Sequence, residues 1–337
     1  MGMGNDHFVK RDAACFTAAI SKFVGPSASY ALLDFPAYPN VGDSLIWLGT
    51  TKALKRVTGV APRYISAQSD FDGDCLRRRL SVGDTIFVLG GGNFGDLWPS
   101  HQHFREDLLA RFAEFRIVQL PQSIQFNSAD AAQRAKKAIK LHPDFHLMVR
   151  DLKSQEFAIN VLEKKPALVA DGAMVLGRLE RSDATQAVQY LLRTDKESPR
   201  DDESIKPNEA VDWVAEPTGF PWSLNVPQKL QALAGGALSS YDRTAILRER
   251  QAEYRMRKGA EILGKGSVVV TDRLHGHILC LLLDIPHVVI DNLYGKISGY
   301  IECFTKDYSG FRVARNLREA QSLVPALVEV PSAGLGR

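Results

Sequence analysis

The chain has 337 residues, with 42 Lys and Arg against 39 Asp and Glu and with 45% hydrophobic residues. This composition is close to that of soluble globular proteins and excludes a disordered, collagenous or coiled-coil chain. Because a domain contains roughly 150 residues, the length predicts two domains, each able to bury a core of its own. The near-neutral charge excludes a dedicated nucleic-acid binder, whose phosphate contacts need a concentrated excess of Lys and Arg.

The cysteines and the apolar runs indicate the compartment. The four cysteines are widely spaced and form no C-x-x-C pair, which disfavours a disulfide framework or a structural zinc site and favours a reducing cytoplasm. The best apolar run, Ile278–Leu283, is far shorter than the ~20 residues of a membrane span. Residues 1–24 carry charges where a signal peptide needs an apolar core. We therefore expect a cytoplasmic protein without a membrane span.

Short runs rich in Val, Ile and Leu alternate with amphipathic stretches in the first half, which predicts successive βα units. The predicted strands are Tyr30–Leu33, Arg63–Ile65, Thr85–Leu89, Arg116–Leu120, Leu147–Val149 and Ala167–Ala170. The predicted helices are Ser44–Val57, His101–Phe115, Ala129–Leu141 and Leu152–Lys164. These strands are apolar on both faces, as is typical of a buried parallel sheet.

The alternation of strands and helices breaks over residues 178–226, which are rich in charges and prolines. One strand is predicted there, Val188–Arg193. The polar run Asp195–Lys206 predicts a solvated, partly mobile loop. The alternation then resumes as Tyr241–Leu263 (helix), Val268–Thr271 (strand), Leu274–Leu283 (helix), His287–Ile290 (strand), Ile297–Phe304 (helix) and Leu317–Leu327 (helix). The pattern predicts an α/β protein of two doubly wound, Rossmann-like domains facing each other across a cleft. The predicted boundaries are 1–170 and 171–310, followed by a C-terminal helix and tail at 311–337.

Unusual polar residues follow the predicted strands at their carboxyl ends, where doubly wound sheets bind ligands. The runs in question are Asn40-Val41-Gly42-Asp43, Gly90-Gly91-Gly92-Asn93-Phe94-Gly95-Asp96, Pro121-Gln122-Ser123, Arg150-Asp151, Asp171-Gly172, Asp272-Arg273-Leu274-His275-Gly276-His277 and Asp291-Asn292. Random placement of polar residues would not repeat this position so consistently. The strand ends therefore predict the functional site.

The glycine run at residues 90–95 fits G-x-G-x-x-G by letter. A dinucleotide fingerprint lies on the first βα turn, with an acid about twenty residues later at the end of the next strand. Here the run lies deep in the first domain, and the next predicted strand ends in Pro121-Gln122. The sequence therefore favours exposed backbone that a polar ligand can approach closely; a tight turn packed against a helix is the structural alternative.

Residues 272–277 lie at a strand-to-helix junction, where free backbone N–H groups and the helix dipole attract an anion. Arg273 adds a planar fork suited to phosphate or carboxylate, and His275 beside an anion is suited to be a general acid. In the structural alternative, Arg273 forms an ion pair with Asp272, and the histidines cap the helix or fill the core. His277 is the weaker candidate because it also fits simple packing along the helix.

Two further cations and a pair of histidines also have structural alternatives. Arg150 ends an apolar strand and could instead pair with Asp151. Lys296 could reach a phosphate from the second domain or lie on the surface. His101 and His103, at i and i+2, do not share a helix face, and no third ligand is spaced for zinc.

The ordered set of motifs resembles the polysaccharide pyruvyl transferases, which move a pyruvyl group from phosphoenolpyruvate onto two sugar hydroxyls as a cyclic ketal. The motifs are Asn40-Val41-Gly42-Asp43, Gly90-Gly91-Gly92-Asn93, Gln119-Leu120-Pro121-Gln122-Ser123, Val149-Arg150-Asp151, Asp171-Gly172-Ala173 and Asp272-Arg273-Leu274-His275-Gly276. They occur in the family's order over nearly the whole chain, and residues 178–226 depart most from the pattern. The resemblance implies two domains of the GT-B glycosyltransferase type.

The resemblance also implies roles. Arg150 and Arg273 would bind the anionic groups of phosphoenolpyruvate, and His275 would protonate its methylene carbon. Asp43 or His101 would accept a proton from the attacking sugar hydroxyl. The remaining expected substrate-binding residues are Leu274, Asn40, Gly91, Gly92, Asn93, Gln122, Ser123 and Lys296. Neither a metal nor an organic cofactor is expected.

The expected acceptor is a lipid-linked oligosaccharide or other envelope glycan, which implies peripheral contact with the inner face of the cytoplasmic membrane; the oligomeric state is not predicted. One alternative is a GT-B nucleotide-sugar glycosyltransferase, although the chain lacks the Glu-x7-Glu arrangement that many such enzymes carry, and Asp291 alone supports it weakly. Another is a non-enzymatic sugar-binding or assembly protein, in which Arg273 and His275 would be structural.

Overall fold

The structure is a computed structural model that describes residues 5–195, 198, 210–214, 240–291 and 294–328. Most of the expected loop Asp195–Lys206, and Asn292 of the last polar run, lie outside the described residues.

The first sheet is parallel and contains seven strands. They are β1 Tyr30–Leu33, β2 Tyr64–Ser66, β3 Thr85–Val88, β4 Gly91–Gly95, β5 Arg116–Gln125, β6 Phe145–Val149 and β7 Ala167–Leu168. Their order is β2-β1-β3-β5-β6-β7, with β4 paired to β5 beyond the end of β3. β1 and β3 are buried along their whole length, and β5 is buried except at its two end residues, as expected where helices cover both faces.

Six described helices belong to this half, and most of them begin at a side-chain cap. They are α1 Asn5–Ile20, α2 Val41–Thr58, α3 Gly73–Arg79, α4 Pro99–Arg111, α5 Ala129–Leu141 and α6 Leu152–Asn160. Asn40 accepts a hydrogen bond from the backbone of Gly42, Ser128 caps α5 and Asp151 caps α6. Each cap satisfies a backbone N–H that the first helical turn leaves unpaired.

The second sheet is also parallel, with the order β12-β11-β10-β8-β9. Its strands are β8 Gln186–Leu191, β9 Ala210–Val211, β10 Gly266–Thr271, β11 His287–Ile290 and β12 Phe311–Ala314. Its helices are α7 Ser240–Gly264, α8 Leu274–Leu283, α9 Lys296–Tyr300, α10 Leu317–Leu323 and α11 Pro325–Val328. A 3₁₀ helix, Gly172–Leu176, connects the halves, and a π-helical turn, Ile301–Thr305, continues α9.

Two helices cross between the halves. Phe8 and Val9 of α1 pack in the core that covers α8, and Asn5 donates a hydrogen bond to the carbonyl of Leu281 (3.1 Å). From the other side, Arg255 of α7 donates to the carbonyl of Pro36 (2.9 Å), and Gly259 lies so close to α2 that a Cβ there would be 2.4 Å from Val41 Cγ1. These contacts hold the two sheets against each other.

The α/β class and the parallel sheets are confirmed, but several boundaries were wrong. The expected strand Arg116–Leu120 continues to Gln125 because β4 supplies a second pairing partner, so Pro121-Gln122-Ser123 lies inside a strand. The expected Val188–Arg193 strand begins two residues earlier. The sequence patterns did not predict α1, α3, β4, β9 or β12, and Pro325 ends the predicted helix Leu317–Leu327 early by starting α11.

Replacing Gly49 by Ala is expected to destabilise the fold. A Cβ at this position of α2 would lie 2.0 Å from the carbonyl oxygen of Gly172, so the 3₁₀ helix would have to move. Such overpacking typically lowers the free energy of unfolding by about 1–3 kcal/mol. Urea denaturation measures the loss, with Gly25→Ala as the matched control because nothing lies within 4 Å of that Cβ. Equal stabilities of the two variants would contradict the packing argument.

Candidate functional site

A cavity of about 410 Å³ opens at the carboxyl ends of both sheets. From the first half it is lined by Tyr38, Pro39, Asn40, Asp43, Gly92, Asn93, Trp98, Ser100, His101 and Arg150. From the second half it is lined by Arg193, Asp195, Trp213, Val214, Arg273, Leu274, His275 and Lys296. Strand ends from both halves therefore contribute to one site, as expected for parallel sheets.

Arg150 follows β6 and is almost completely buried. Its Nε donates to Ser123 Oγ (3.1 Å) and its Nη1 to Asp171 Oδ2 (2.5 Å). The remaining nitrogen, Nη2, lies 3.3 Å from the point that a Cβ on Gly92 would occupy. The pair expected as the alternative, with Asp151, does not form, because Asp151 accepts a hydrogen bond from Ser154 N at the start of α6. Two fixed anchors thus aim one edge of the guanidinium at the cavity.

Lys296, the first residue of α9, reaches the same place from the second half. Its Nζ donates to the carbonyl of Gly92 (3.3 Å) and lies 3.3 Å from the same hypothetical Cβ. Two cations therefore converge beside a residue that has no side chain. This is the arrangement expected of an anion site that uses close backbone approach.

Arg273 caps α8 and pairs with carboxylates of the second half. Nε and Nη2 donate to the two oxygens of Asp212 (2.6 and 2.7 Å), and Nη2 also approaches Asp195 (3.2 Å). The expected alternative partner, Asp272, instead accepts a hydrogen bond from Arg193 N (2.8 Å), and burial raises the pKa of its carboxyl to about 6. Within the described ranges no residue bonds to Nη1 of Arg273, so one edge of this guanidinium faces the cavity.

His275 lies in the first turn of α8, against the first turn of α2. A Cβ on Gly42 would be 2.5 Å from Nδ1 of His275, so only glycine permits this approach. The other ring nitrogen, Nε2, is buried 3.4 Å from Asp171 Oδ2 and forms no hydrogen bond with a described residue. Burial opposes the charge of Asp171, but His275 and Arg150 together hold the pKa of that carboxyl well below its usual value. One carboxylate thus couples the arginine to the histidine.

Asp43 and Asn40 lie at the start of α2. Asp43 Oδ2 accepts hydrogen bonds from Tyr38 Oη (2.8 Å) and Asn40 Nδ2 (2.9 Å). Burial, followed by the charges of Asp43 and Asp34, raises the pKa of Tyr38 well above its usual value, so the phenol stays a donor. This oxygen of Asp43 is therefore already engaged by two donors.

His101 lies in the first turn of α4, at the edge of the cavity. Its Nδ1 is 3.0 Å from Oδ2 and 3.1 Å from Oδ1 of Asp34, the residue that directly follows β1. The amide nitrogens of Asn93 and Gln68 also lie beside Nδ1. His103 points to solvent, so the two neighbouring histidines are separated as expected.

Three predicted site residues do not line the cavity. Gln122 and Ser123 are buried behind it, where Gln122 binds Asn93 through its side-chain amide (Oε1 to N 3.2 Å, Nε2 to Oδ1 2.9 Å) and Ser123 holds Arg150. Gly91 has a φ of 140°, and a Cβ there would lie 3.5 Å from Asp43 Oδ1. These residues support the cavity wall; the other predicted residues lie at the cavity.

His277 is fully buried away from the cavity. His287 Nδ1 donates to the carbonyl of Ile285 (2.8 Å), so His287 Nε2 accepts from His277 Nδ1 (2.8 Å), and His277 Nε2 accepts from Thr305 Oγ1 (2.9 Å). Burial lowers the pKa of His287 to about 4 and the pKa of His277 well below its usual value. His277 is therefore a hydrogen-bonded core residue.

The sequence patterns indicated no role for the carboxylates that bind the arginines of the site and His101, namely Asp34, Asp171, Asp195 and Asp212. Asp34 directly follows β1, and Asp171 follows β7 after two intervening residues, so position after a strand was the available signal. Among the described residues no group of three or more His, Cys, Asp or Glu side chains could hold a metal ion.

Comparison with known proteins identifies the family. A model of the family described as polysaccharide pyruvyl transferase matches residues 40–294, which include every cavity-lining residue except Tyr38, Pro39 and Lys296. The chain belongs to the polysaccharide pyruvyl transferase family. Membership makes it a transferase and confirms the resemblance found in the sequence.

Individual members of this family resemble the chain over most of its length. It is 32% identical over 290 residues to Pyruvyl transferase 1 of Schizosaccharomyces pombe, a match that covers 80% of this chain and 68% of that protein. It is 30% identical over 302 residues to the putative pyruvyl transferase EpsO of Bacillus subtilis, covering 86% and 89%.

A solved structure supports the fold of this pyruvyl transferase family member. A Klebsiella pneumoniae protein described as uncharacterized superposes with a TM-score of 0.60 at 19% identity, covering 90% of this chain and 99% of that one. In the part of the chain that the structure describes, no helix combines the length and apolar character needed to cross a bilayer.

Proposed function

We propose that this chain transfers the pyruvyl group of phosphoenolpyruvate to two hydroxyls of one sugar, forming a cyclic ketal and releasing phosphate. The observation that carries the proposal is the convergence of Arg150, Lys296 and Arg273 on a cavity that also contains His275. Phosphoenolpyruvate has a phosphate and a carboxylate, so its site needs two groups of cationic donors. The free edges of the two guanidiniums and the Lys296 ammonium supply them.

With the donor bound, the side chains of the protein need to supply only proton transfers while the C–O bonds form and break. His275 protonates the methylene carbon, which makes the neighbouring carbon electrophilic. One sugar hydroxyl bonds to that carbon, the bond to the phosphate oxygen breaks, and the second hydroxyl closes the ring. One hydroxyl proton replaces the one His275 delivered, and the other leaves with phosphate. General acid help of this kind typically contributes ~10²–10⁴-fold, and neither a metal nor a cofactor takes part in this route.

The architecture proposed for this chemistry is two Rossmann-like domains that meet near residue 170 and face each other across the cleft, as in GT-B enzymes. The two parallel sheets and the cavity lined from both halves support it. The acceptor is proposed to be an envelope-glycan precursor, a lipid-linked oligosaccharide presented at the cytoplasmic membrane face. The four free cysteines suit a reducing compartment.

Incubation with phosphoenolpyruvate and a panel of lipid-linked and free oligosaccharides tests the function. We expect phosphate in the ³¹P spectrum, and in the ¹H spectrum a ketal methyl singlet, in equal amounts and only when the acceptor is present. Consumption of a UDP- or GDP-sugar with no ketal signal would replace the proposal by the glycosyltransferase alternative. Binding of glycans without turnover of either donor would favour a non-enzymatic protein.

A further inference from the structure

A buried carboxylate holds one ring nitrogen of His101. Asp34 has 3% of its surface exposed, and both of its oxygens lie within hydrogen-bond distance of His101 Nδ1 (3.0 and 3.1 Å). Gln68 Nε2 donates to the same carboxylate at Oδ1 (3.0 Å). The His101 ring, in contrast, lines the cavity. The pair therefore spans from the core to the site.

The backbone of Asp34 is held in an unfavourable conformation. Its φ is 68°, in the left-handed region that residues with a Cβ seldom adopt. Neighbouring hydrogen bonds from Phe35 N to Ser66 O (2.9 Å) and from Leu89 N to Leu33 O (3.1 Å) fix the strand end on either side. Residues kept in such conformations cluster at functional sites, where the surrounding structure maintains the strain. The φ of Asp34 carries the chain from β1 into the turn that precedes α2.

The contact with Asp34 selects one tautomer of His101. A neutral imidazole has one N–H and one lone pair, and a carboxylate beside Nδ1 requires the proton to be there. The Asn93 amide nitrogen, 3.0 Å from Nδ1, would be the donor in the opposite tautomer, but the ring lone pair would then face two carboxylate oxygens. Nε2 is thus left as the acceptor, and no described residue forms a hydrogen bond with it.

The other candidate base is less suited to take a proton. Asp43 Oδ2 already accepts hydrogen bonds from Tyr38 and Asn40, so a sugar hydroxyl would have to compete with two donors for that oxygen. His101 Nε2 has no such competitor among the described residues. The geometry therefore favours His101 over Asp43 as the general base, a choice that the sequence left open.

We infer that Asp34 is a positioning residue that holds His101 as the general base for the acceptor hydroxyl. The inference rests on the proposed ketal transfer. In the step concerned, the hydroxyl proton passes to His101 Nε2 as the hydroxyl oxygen bonds to the central donor carbon, and the proton later leaves with phosphate or to solvent. Asp34 never takes the proton; it stabilises the imidazolium that forms.

The charged and titratable groups around His101 come from several elements. Asp34 follows β1, Tyr38 and Asp43 precede and begin α2, and Tyr38 meets the His101 ring edge-on at 5.8 Å. Arg105, one turn further along α4, binds Asn93 Oδ1 (3.0 Å). Across the cavity lie Arg150, Arg193, Asp195, Arg273, His275 and Lys296. Only Asp34 among them is within hydrogen-bond distance of the His101 ring.

Nitrogen NMR tests the tautomer without any assay of activity. Histidine labelled with ¹⁵N in both ring positions gives distinct shifts for protonated and unprotonated nitrogens, and the His101 signals are assigned by their loss in His101→Ala. We expect neutral His101 to carry its proton on Nδ1 in the natural protein and to become a tautomer mixture in Asp34→Asn. A proton on Nε2 in the natural protein would overturn the inference.

Kinetics test the role. Asp34→Asn is expected to lower kcat on the order of 10²-fold, within the range of general base effects, and to move the acidic limb of the pH profile to lower pH. The KM for phosphoenolpyruvate should stay within about twofold. Asp70→Asn is the matched control, since Asp70 is also a carboxylate held by hydrogen bonds, accepting from Ala67 N (2.9 Å) and pairing with Arg248, but does not line the cavity.

A double variant keeps the test valid if Asp34→Asn is less stable. If Asp34 acts through His101, Asp34→Asn combined with His101→Ala should be no slower than His101→Ala alone, because the two changes remove one function. The inference would be overturned if the double variant lost kcat by the product of the two single losses. It would also be overturned if the pH profile of Asp34→Asn matched that of the natural protein. Absence of ketal formation by the natural protein would instead remove the proposed function, leaving the NMR result to stand separately.

Discussion

Replacing His275 by Gln is expected to lower kcat for ketal formation by ~10²–10⁴-fold, the usual contribution of a general acid. Gln can fill the space beside Gly42 but cannot deliver a proton to the methylene carbon. Because the proposed function assigns donor binding to Arg150 and Lys296, whose positions depend on Asp171 and Gly92, the apparent affinity for phosphoenolpyruvate should change little. Steady-state phosphate release at saturating acceptor measures kcat, and stabilisation against heat by phosphoenolpyruvate measures donor binding.

The matched control is His103→Gln, which changes an exposed histidine of α4 that does not line the cavity. It should keep the natural rate. A His275→Gln protein that releases phosphate and forms the ketal at a near-natural rate would remove the acid role. A variant that loses donor stabilisation as well would mean that the ring positions the substrate through the Asp171 carboxylate.

The position of the site was predictable because it follows from a general property of parallel sheets. Carboxyl ends of neighbouring strands meet at one edge, so Gly92, Arg150 and Arg273, which are far apart in sequence, were expected together. The structure places all three at one cavity. The helices and strands were equally predictable, since buried parallel strands and capped helices have strong local sequence signals.

The partners of these residues were not predictable, because tertiary contacts decide them. Arg150 could have paired with its neighbour Asp151, but α6 uses that carboxylate as a cap, and Asp171 approaches from beyond β7. Likewise, 67 residues separate Asp34 from His101. The local sequence pattern predicts that a charged residue lies at a strand end, but it does not show which residue of opposite charge will pair with it.

The error at Pro121 has a similar origin. Proline lacks the N–H that a central strand needs, so it normally ends a strand or marks a bulge. Here the pairing of β5 with β6 shifts register between Gln119 and Gln122, and the irregularity accommodates Pro121 while β4 continues the sheet on the other side. A sequence pattern read strand by strand cannot show that two short segments, β3 and β4, both pair with one long strand.

Gly92→Ala is expected to raise the KM for phosphoenolpyruvate by ~10–10²-fold. The new methyl group would lie 3.3 Å from both Arg150 Nη2 and Lys296 Nζ, in the space where an anionic oxygen would bind them. A hydrogen bond to a charged group contributes about 1.5–3 kcal/mol, and each 1.4 kcal/mol is about a tenfold change in affinity. The φ of Gly92 lies outside the left-handed region, so alanine fits the backbone and the fold should persist.

Comparing Gly92→Ala with Lys296→Ala and with the double variant tests whether the methyl group displaces an anion from Lys296. If the methyl group acts by displacing an anion from Lys296, its effect on the KM for phosphoenolpyruvate should shrink once the lysine is gone, because the two changes then remove the same contact. The KM for the acceptor should not move in either single variant, and Gly25→Ala controls for an added methyl group in open space. An unchanged donor KM in Gly92→Ala would mean that the anion binds elsewhere in the cavity, where Arg273 and Arg193 also contribute guanidiniums.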